Sequence, residues 1–142
     1  MSATLQGSGY EDVRVVAGEK LVLRVRAHDP AGITKIFVQC FQFSLASANR
    51  VKTAVGETSI SPDEAFSVSA FDVPVQIPEN AALGKWGVQL IEFTNSKGFK
   101  IGFYRGQGKF DKIAFEVISP PRNEDRPLEF NGVEIAERSR WA

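Results

Sequence analysis

The stretch Leu21-Val22-Leu23-Arg24-Val25-Arg26-Ala27-His28 shows the clearest alternation of apolar and polar residues in the chain. One parity holds Leu21, Leu23, Val25 and Ala27, and the other holds Arg24, Arg26 and His28. Successive side chains of a β-strand point to opposite faces of the sheet. The pattern therefore predicts a strand with one buried face and one solvated face.

Shorter apolar stretches on both sides of this segment predict further strands. They include a short strand at Val13 to Val16, a strand from Lys35 to Phe43 that is apolar on both faces, a strand ending near Ile77, a strand beginning at Trp86, a hairpin around Gly98, and a final strand through Phe115. No helical periodicity occurs before residue 120. The sequence thus predicts an all-β, antiparallel sandwich of about seven to eight strands, with Trp86 in the core.

Two regions are expected to lie at the margin of the sheet. Residues 44–63 are polar and small, which predicts a long connection holding one weak edge strand. Pro74 is expected at an edge or a bend, because proline has no N–H to donate to a central ladder.

The chain reads as one domain. Its 142 residues suffice for one core and are too few to predict two. Residues 1–11 are predicted to be a flexible N-terminus, residues 12–118 the sandwich, and residues 119–142 an irregular tail that is either disordered or docked on the body.

Composition excludes several classes of protein. The 17 basic and 17 acidic residues balance, so no net field attracts nucleic acid or an anionic membrane. One cysteine and one histidine cannot form an internal disulfide or a four-ligand zinc site. No cofactor or metal is predicted.

The N-terminal residues have neither a basic start nor a continuous apolar run, so they do not resemble a signal peptide, and no stretch is long enough to span a bilayer. The sequence as written predicts a cytoplasmic protein. A surface or secreted location is expected instead if the chain is a module of a larger exported protein.

Three segments resemble the immunoglobulin-like domains of bacterial surface and secreted proteins. They are Asp29-Pro30-Ala31-Gly32-Ile33, then Val75-Gln76-Ile77-Pro78 with Gly84-Lys85-Trp86-Gly87-Val88, and finally Phe115-Glu116-Val117. The resemblance covers roughly residues 12 to 118 and implies an immunoglobulin-like sandwich. It implies little about function, because such sandwiches host many unrelated roles.

The sequence departs from that family in two places. One is the long segment 44–63. The other is the hairpin Asn95-Ser96-Lys97-Gly98, which stands where the family has Asp-x-x-Gly-Asn. The resemblance therefore implies no calcium site at this turn.

A second apolar face is the first candidate site. In an immunoglobulin-like sandwich, the strand from Lys35 to Phe43 and the hairpin after Trp86 share a sheet, which predicts one outward patch of Phe37, Phe41, Phe43, Ile91 and Phe93. A patch of that size marks an interface with another subunit or a partner protein. Alternatively, the tail or residues 44–63 cover the patch within the same chain.

The second candidate site is basic. Cations alternate with aromatic residues between Lys97 and Lys112, and these cations are Lys97, Lys100, Arg105, Lys109 and Lys112. Such a pattern suits a carbohydrate or polyanion, through stacking and phosphate or sulfate contacts. It is more typical of an ordinary strand with inward aromatics and outward lysines.

No catalytic constellation is predicted. His28 is on the solvated parity of its strand, Cys40 is on an inward parity, and the carboxylates are scattered over turns and the tail. The sequence therefore predicts a non-catalytic binding or structural module that contacts protein, with carbohydrate or polyanion binding as the alternative. A loop-presenting protease inhibitor is a weaker third hypothesis, since the Asn-Pro-Thr-Thr-Gly loop of one such family is absent.

Overall fold

The computed structural model describes residues 2–6, 13–43, 50–66, 68–120 and 130–136, and for residues 2–6 the description covers the backbone alone. The described residues contain no helix and form nine strands. The strands are β1 (Ser2–Gln6), β2 (Arg14–Val16), β3 (Lys20–Arg26), β4 (Ile33–Gln42), β5 (Thr53–Ser59), β6 (Ala70–Gln76), β7 (Gly84–Asn95), β8 (Lys100–Tyr104) and β9 (Ala114–Ile118).

The strands form one mixed sheet in the order β1-β3-β6-β5-β4-β7-β9-β2, and β8 pairs with β7 beside β9. The sheet curls until its two outermost strands, β1 and β2, come into contact, so the molecule is nearly barrel-shaped. The all-β prediction is confirmed. The prediction of antiparallel pairing alone is wrong, because β1 runs parallel to β3 and β2 runs parallel to β9.

The predicted flexible N-terminus, residues 1–11, contains a strand in its described part. Its first residues form β1, which pairs with β3 from Lys20 to Arg24. Backbone hydrogen bonds along the edge of β3 can hold such a strand whatever its side chains are. A strand held in this way needs no alternation of apolar and polar residues, so the sequence did not predict it.

The core lies on the inner face of the sheet. Leu21 and Leu23 of β3 are buried, while Arg26 and His28 are exposed, which confirms the parity predicted for this strand. Trp86 is fully buried as predicted, stacks on Phe115 with ring centroids 6.2 Å apart, and donates its indole N–H to the carbonyl oxygen of Ala82 at 2.8 Å.

The expectation of a weak edge strand within residues 44–63 is wrong in its position. β5 lies between β4 and β6, and it pairs with β4 from Thr53 to Ser59. It meets β6 through one register pair, Gly56 with Val75. A Cβ on Gly56 would lie 2.0 Å from the carbonyl oxygen of Pro74, so only glycine permits this approach.

Pro74 of β6 lies beside the short junction between β5 and β6, where a missing backbone N–H is tolerated. Hydrogen bonds join Ile77 N to Glu19 O and Ala27 N to Ser69 O at the two ends of the β3–β6 ladder. Pairs of an antiparallel ladder alternate between bonded and unbonded. The pair of Val22 with Pro74 is therefore unbonded, and the missing N–H of Pro74 is directed toward β5 rather than β3.

Residues 130–136 of the predicted tail have no regular secondary structure and are exposed. The residues 121–129 and 137–142 of that tail, and the residues 44–49 of the predicted connection, lie outside the described part of the chain. Within the described part, the structure contains no helix whose length and apolar character would allow it to cross a bilayer.

Candidate functional site

A bulge in β7 decides which side chains share a face. Gln39 of β4 pairs with Leu90, but the next residue, Cys40, pairs with Val88, so Gln89 is an extra residue in β7. One extra residue moves every later side chain of a strand to the opposite face. Ile91 therefore pairs with Val38, and Phe93 pairs with Ile36, both of which are fully buried.

The predicted patch is consequently divided between the two faces of the sheet. Ile91 and Phe93 lie on the inner face, whereas Phe37 and Phe41 lie on the outer face opposite Glu92 and Gly87. The expectation of one shared face for Phe37, Phe41, Phe43, Ile91 and Phe93 is wrong. Its physical reason is the bulge, which period-2 alternation does not reveal.

On the outer face, Arg105 covers the two remaining phenylalanines. Its guanidinium carbon lies 5.5 Å from the ring centroid of Phe41 and 4.9 Å from that of Phe43. A Cβ on Gly87 would lie 2.6 Å from Arg105 Nη1, so the glycine makes room for this packing. A cation over two rings stabilises the cluster and removes apolar surface from contact with water.

The surroundings of Phe37 are polar. Directly opposite it stand Glu57 of β5 and Glu92 of β7, and Glu57 forms an ion pair with Lys35 at 3.1 Å. The outer face of β4 is therefore a mixed surface rather than a continuous apolar one.

The inner face opens into a cleft of about 570 Å³ at the end of the sheet where β3 and the β7–β8 hairpin diverge. Its floor consists of the core residues Leu23, Val88 and Ile113. Its walls are half-buried or exposed apolar side chains, namely Val25, Ala27, Ile91, Phe93, Ile101 and Phe103. The volume falls in the range of ligand-binding sites.

Aromatic packing and two turns give this cleft a fixed shape. The rings of Phe93 and Phe103 meet edge to face with centroids 5.9 Å apart. Asn95 Oδ1 accepts the N–H groups of Lys97 and Phe99, each at 3.0 Å, which closes the β7–β8 turn. Ser96 N donates to Gly32 O at 2.9 Å and ties this turn to the one before β4.

The rim of the cleft is predominantly basic. Arg24, Arg26, His28 and Lys109 line it, with Asp29 as the acidic residue of the set, and Arg24 forms an ion pair with Asp72 outside the cleft. The carboxylate of Asp29 is engaged, since Oδ1 accepts the N–H of Ala31 at 2.7 Å and Oδ2 accepts the side-chain amide of Asn95 at 3.5 Å. The rim therefore favours an anionic or hydrogen-bond-accepting ligand.

One strand edge beside the cleft carries free backbone groups. Hydrogen bonds join Asn95 N to Phe99 O and Arg105 N to Gln89 O at the two ends of the β7–β8 ladder. By alternation, Ile101 and Phe103 bond to β7, while the N–H and C=O groups of Lys100 and Gly102 point away from it. No other described strand pairs with β8 on that side.

Tyr104 is the third residue of β8 whose backbone groups point away from β7, and these groups are already bonded within the chain. Tyr104 N donates to Gln107 Oε1 at 2.9 Å, and Gln107 N donates to Tyr104 O at 3.2 Å. Lys100 and Gly102 are thus left as the open part of the edge. Sequence reasoning missed both this edge and the cleft, because each depends on which strands become neighbours.

The structure separates Arg105 from the other predicted polyanion-binding residues. Lys97, Lys100, Lys109 and Lys112 are exposed on or beside the two turns that flank β8. Arg105 is half-buried over Phe41 and Phe43 instead. Asp111, the acidic residue of this stretch, accepts the N–H of Gly106 at 3.0 Å.

His28 and Cys40 lie in different environments. His28 is exposed at the rim of the cleft, whereas Cys40 is fully buried, and burial raises the pKa of its thiol to about 12. The described residues contain no group of three His, Cys, Asp or Glu side chains that could hold a metal ion.

No protein-family model, curated protein or solved structure matches this chain. The candidate site therefore rests on the geometry of the cleft and of the β8 edge.

Proposed function

We propose that this chain is a non-catalytic binding module that holds an extended polypeptide segment of a partner protein along the free edge of β8. The observation that carries the proposal is the pair of outward-facing residues Lys100 and Gly102, whose backbone groups border an apolar cleft. An added strand would form backbone hydrogen bonds with this edge and place alternate side chains in the cleft.

The apolar cleft and the unpaired backbone groups of β8 lie side by side, and this arrangement favours a polypeptide ligand over a small apolar molecule. A small ligand needs the cleft alone, whereas a strand uses both the cleft and the unpaired backbone groups. Because Ile101 and Phe103 point into the cleft from β8 itself, every second residue of an added strand would point there too.

The charges around the edge indicate the composition of the ligand. Lys97, Lys100 and Lys109 are exposed near β8, and Arg26 and His28 stand across the cleft. The partner segment would accordingly alternate apolar residues with glutamate or aspartate. Opposite charges on neighbouring strands stabilise such pairing.

We also propose that the domain is immunoglobulin-like. In such folds one row of strands contains the second and the fifth, and the other contains the third, sixth and seventh. Here β3 lies beside β6, and β4, β7 and β9 are consecutive neighbours. The single register pair between β5 and β6 supports a division of the sheet into two rows at that junction.

The test compares two substitutions at one residue. Gly102→Pro removes the outward N–H, while Gly102→Ala keeps it, and a Cβ there would lie 3.4 Å from Leu90 Cδ1, an ordinary contact. The probe is a short fluorescent peptide in which valine and phenylalanine alternate with glutamate. We expect anisotropy to show saturable binding that weakens about tenfold with proline and less than about twofold with alanine.

Circular dichroism serves as the folding control, since proline is tolerated at a strand edge where its nitrogen faces solvent. Equal affinity of the alanine variant and a natively folded proline variant would contradict strand addition at β8.

Polyanion binding remains a second candidate function. It is favoured by the exposure of four lysines, Lys97, Lys100, Lys109 and Lys112, on β8 and the turns that flank it. We expect heparin to bind with an affinity that falls steeply as salt increases, and to bind more weakly to Lys109→Gln/Lys112→Gln. Arg105→Gln should have little effect on heparin, because its guanidinium packs on phenylalanine. Salt-independent binding, or none, would rule this function out.

A further inference from the structure

We infer that the segment Phe130 to Ala136 of this same chain is a resident ligand of the β8 edge, where it competes with the partner segment. This inference rests on the proposed strand-binding function and adds its regulation. Two of the apolar surfaces that the described part of the structure leaves open, the tail segment and the cleft, would then cover each other.

The apolar side chains of the segment supply the first argument. Phe130, Val133 and Ile135 are 79%, 89% and 81% exposed. Exposed apolar surface is unfavourable at roughly 25 cal/mol per Å². Val133 and Ile135 flank Glu134, so in extended form both enter the cleft while Glu134 faces the other side.

Charge supplies the second argument. Residues 130–136 include Glu134 and no lysine or arginine. β8 and the turns that flank it present Lys97, Lys100 and Lys109. A segment with one carboxylate between two apolar residues has the composition proposed above for a partner strand.

The length and direction of the chain supply the third argument. β9 runs antiparallel to β7 and ends beside Gly84, whereas Gly102 of β8 pairs with Glu92. The distance from Gly84 to Glu92 along β7 is ~27 Å at the rise of an antiparallel strand. Residues 119–129 can span up to ~36 Å when extended. After reversing direction, the tail would run antiparallel to β8.

Amide hydrogen exchange on the full chain tests this inference without any added ligand. The outward N–H groups of Lys100 and Gly102 should exchange at least about tenfold more slowly in the parent than in Phe130→Ser/Val133→Ser/Ile135→Ser. The amide of Phe103, which bonds to β7, should be protected equally in both. The matched control is Ala136→Ser, which lies on the same face as Glu134 and should exchange like the parent.

Equal exchange at Gly102 in the parent and the triple variant would overturn the inference. Protection that increases with protein concentration, together with a dimer in light scattering, would also overturn it, because the segment would then belong to a second copy.

The outcome also separates this inference from the function on which it rests. If the valine, phenylalanine and glutamate peptide binds the parent and the triple variant equally, the strand-binding function stands and the tail is not its competitor. If Gly102 is protected by the tail but the triple variant binds no peptide, the docking of the tail on β8 stands, whereas the partner-binding function and the competition with a partner are both wrong.

Discussion

The two ends of strand β7 have opposite relations to the core. At its first end, Trp86 and Val88 are buried against Phe115. At its second end, Ile91 and Phe93 are half-exposed and line the cleft. Both ends carry large apolar residues that point inward, so composition does not distinguish them. The difference is that β9 and β2 cover the first end, whereas the second end is bordered by the free edge of β8.

This contrast indicates how a small β-domain can provide a site without losing its core. Full burial at one end stabilises the fold, and the bulge at Gln89 keeps the second end apolar while the sheet diverges. We call the end of β7 around Trp86 and Val88 the closed end, and the end around Ile91 and Phe93 the open end. Substitutions of the same kind are predicted to have very different effects at these two ends.

The largest expected difference is chemical access to a thiol. Cys40 lies opposite Val88 in the closed end, and burial raises its pKa to about 12. At pH 8 its thiolate fraction is then ~1000-fold below that of an unperturbed thiol. In the folded protein, Ellman's reagent should react with Cys40 at least that much more slowly than with a cysteine placed in the open end by Ile101→Cys. Comparable rates for the two thiols would mean that the closed end opens readily.

The next effect is on stability. Trp86→Ala should lower the free energy of unfolding by ~3–5 kcal/mol, because it leaves a large cavity and an unpaired carbonyl at Ala82. Phe93→Ala should cost about 1 kcal/mol, since its ring is half-exposed. Urea denaturation measures both. A similar cost for the two substitutions would show that the cleft belongs to the core.

Two glycines, one at the junction of β5 with β6 and one at the free edge of β8, provide a third comparison. Gly56→Ala should cost about 3 kcal/mol, because its Cβ would meet the backbone of Pro74 at 2.0 Å. Gly102→Ala, at the open edge, should change stability by less than ~0.5 kcal/mol. Thermal unfolding of the two variants against the parent checks the difference, and a neutral Gly56→Ala would contradict the tight junction between β5 and β6.

The sequence predicted what depends on one strand at a time. The alternation from Leu21 to His28 identified the inward face of β3, and the position of Trp86 identified the core of β7. The face of Ile91 and Phe93 was not predictable, because apolar residues occupy both parities from Leu90 onward and the extra residue at Gln89 leaves no periodic mark. The cleft was missed for a related reason, since it forms between β3 and β8, which are distant in sequence.

The smallest expected effect lies on the solvated face of β3, where Arg24 at the rim of the cleft pairs with Asp72. Arg24 Nε donates to Asp72 Oδ1 at 2.8 Å, and Nη2 donates to Oδ2 at 3.3 Å. The hydrogen bond and the charge of Arg24 lower the pKa of Asp72. A carboxyl group whose pKa is lower in the folded state stabilises the fold above its unfolded pKa and loses that contribution as pH falls through its folded pKa.

Asp72→Asn should therefore lower the melting temperature slightly at pH 7 and by less at pH 2, because the contribution of the carboxylate is lost as pH falls through its lowered pKa. The effect is small because both side chains contact solvent. Calorimetry of the parent and the variant at the two pH values measures it, with Asp63→Asn on the exposed turn after β5 as the control. If Asp72→Asn shifts the melting temperature equally at both pH values, the ion pair does not contribute, and the solvated face of β3 is held by its ladder with β6 alone.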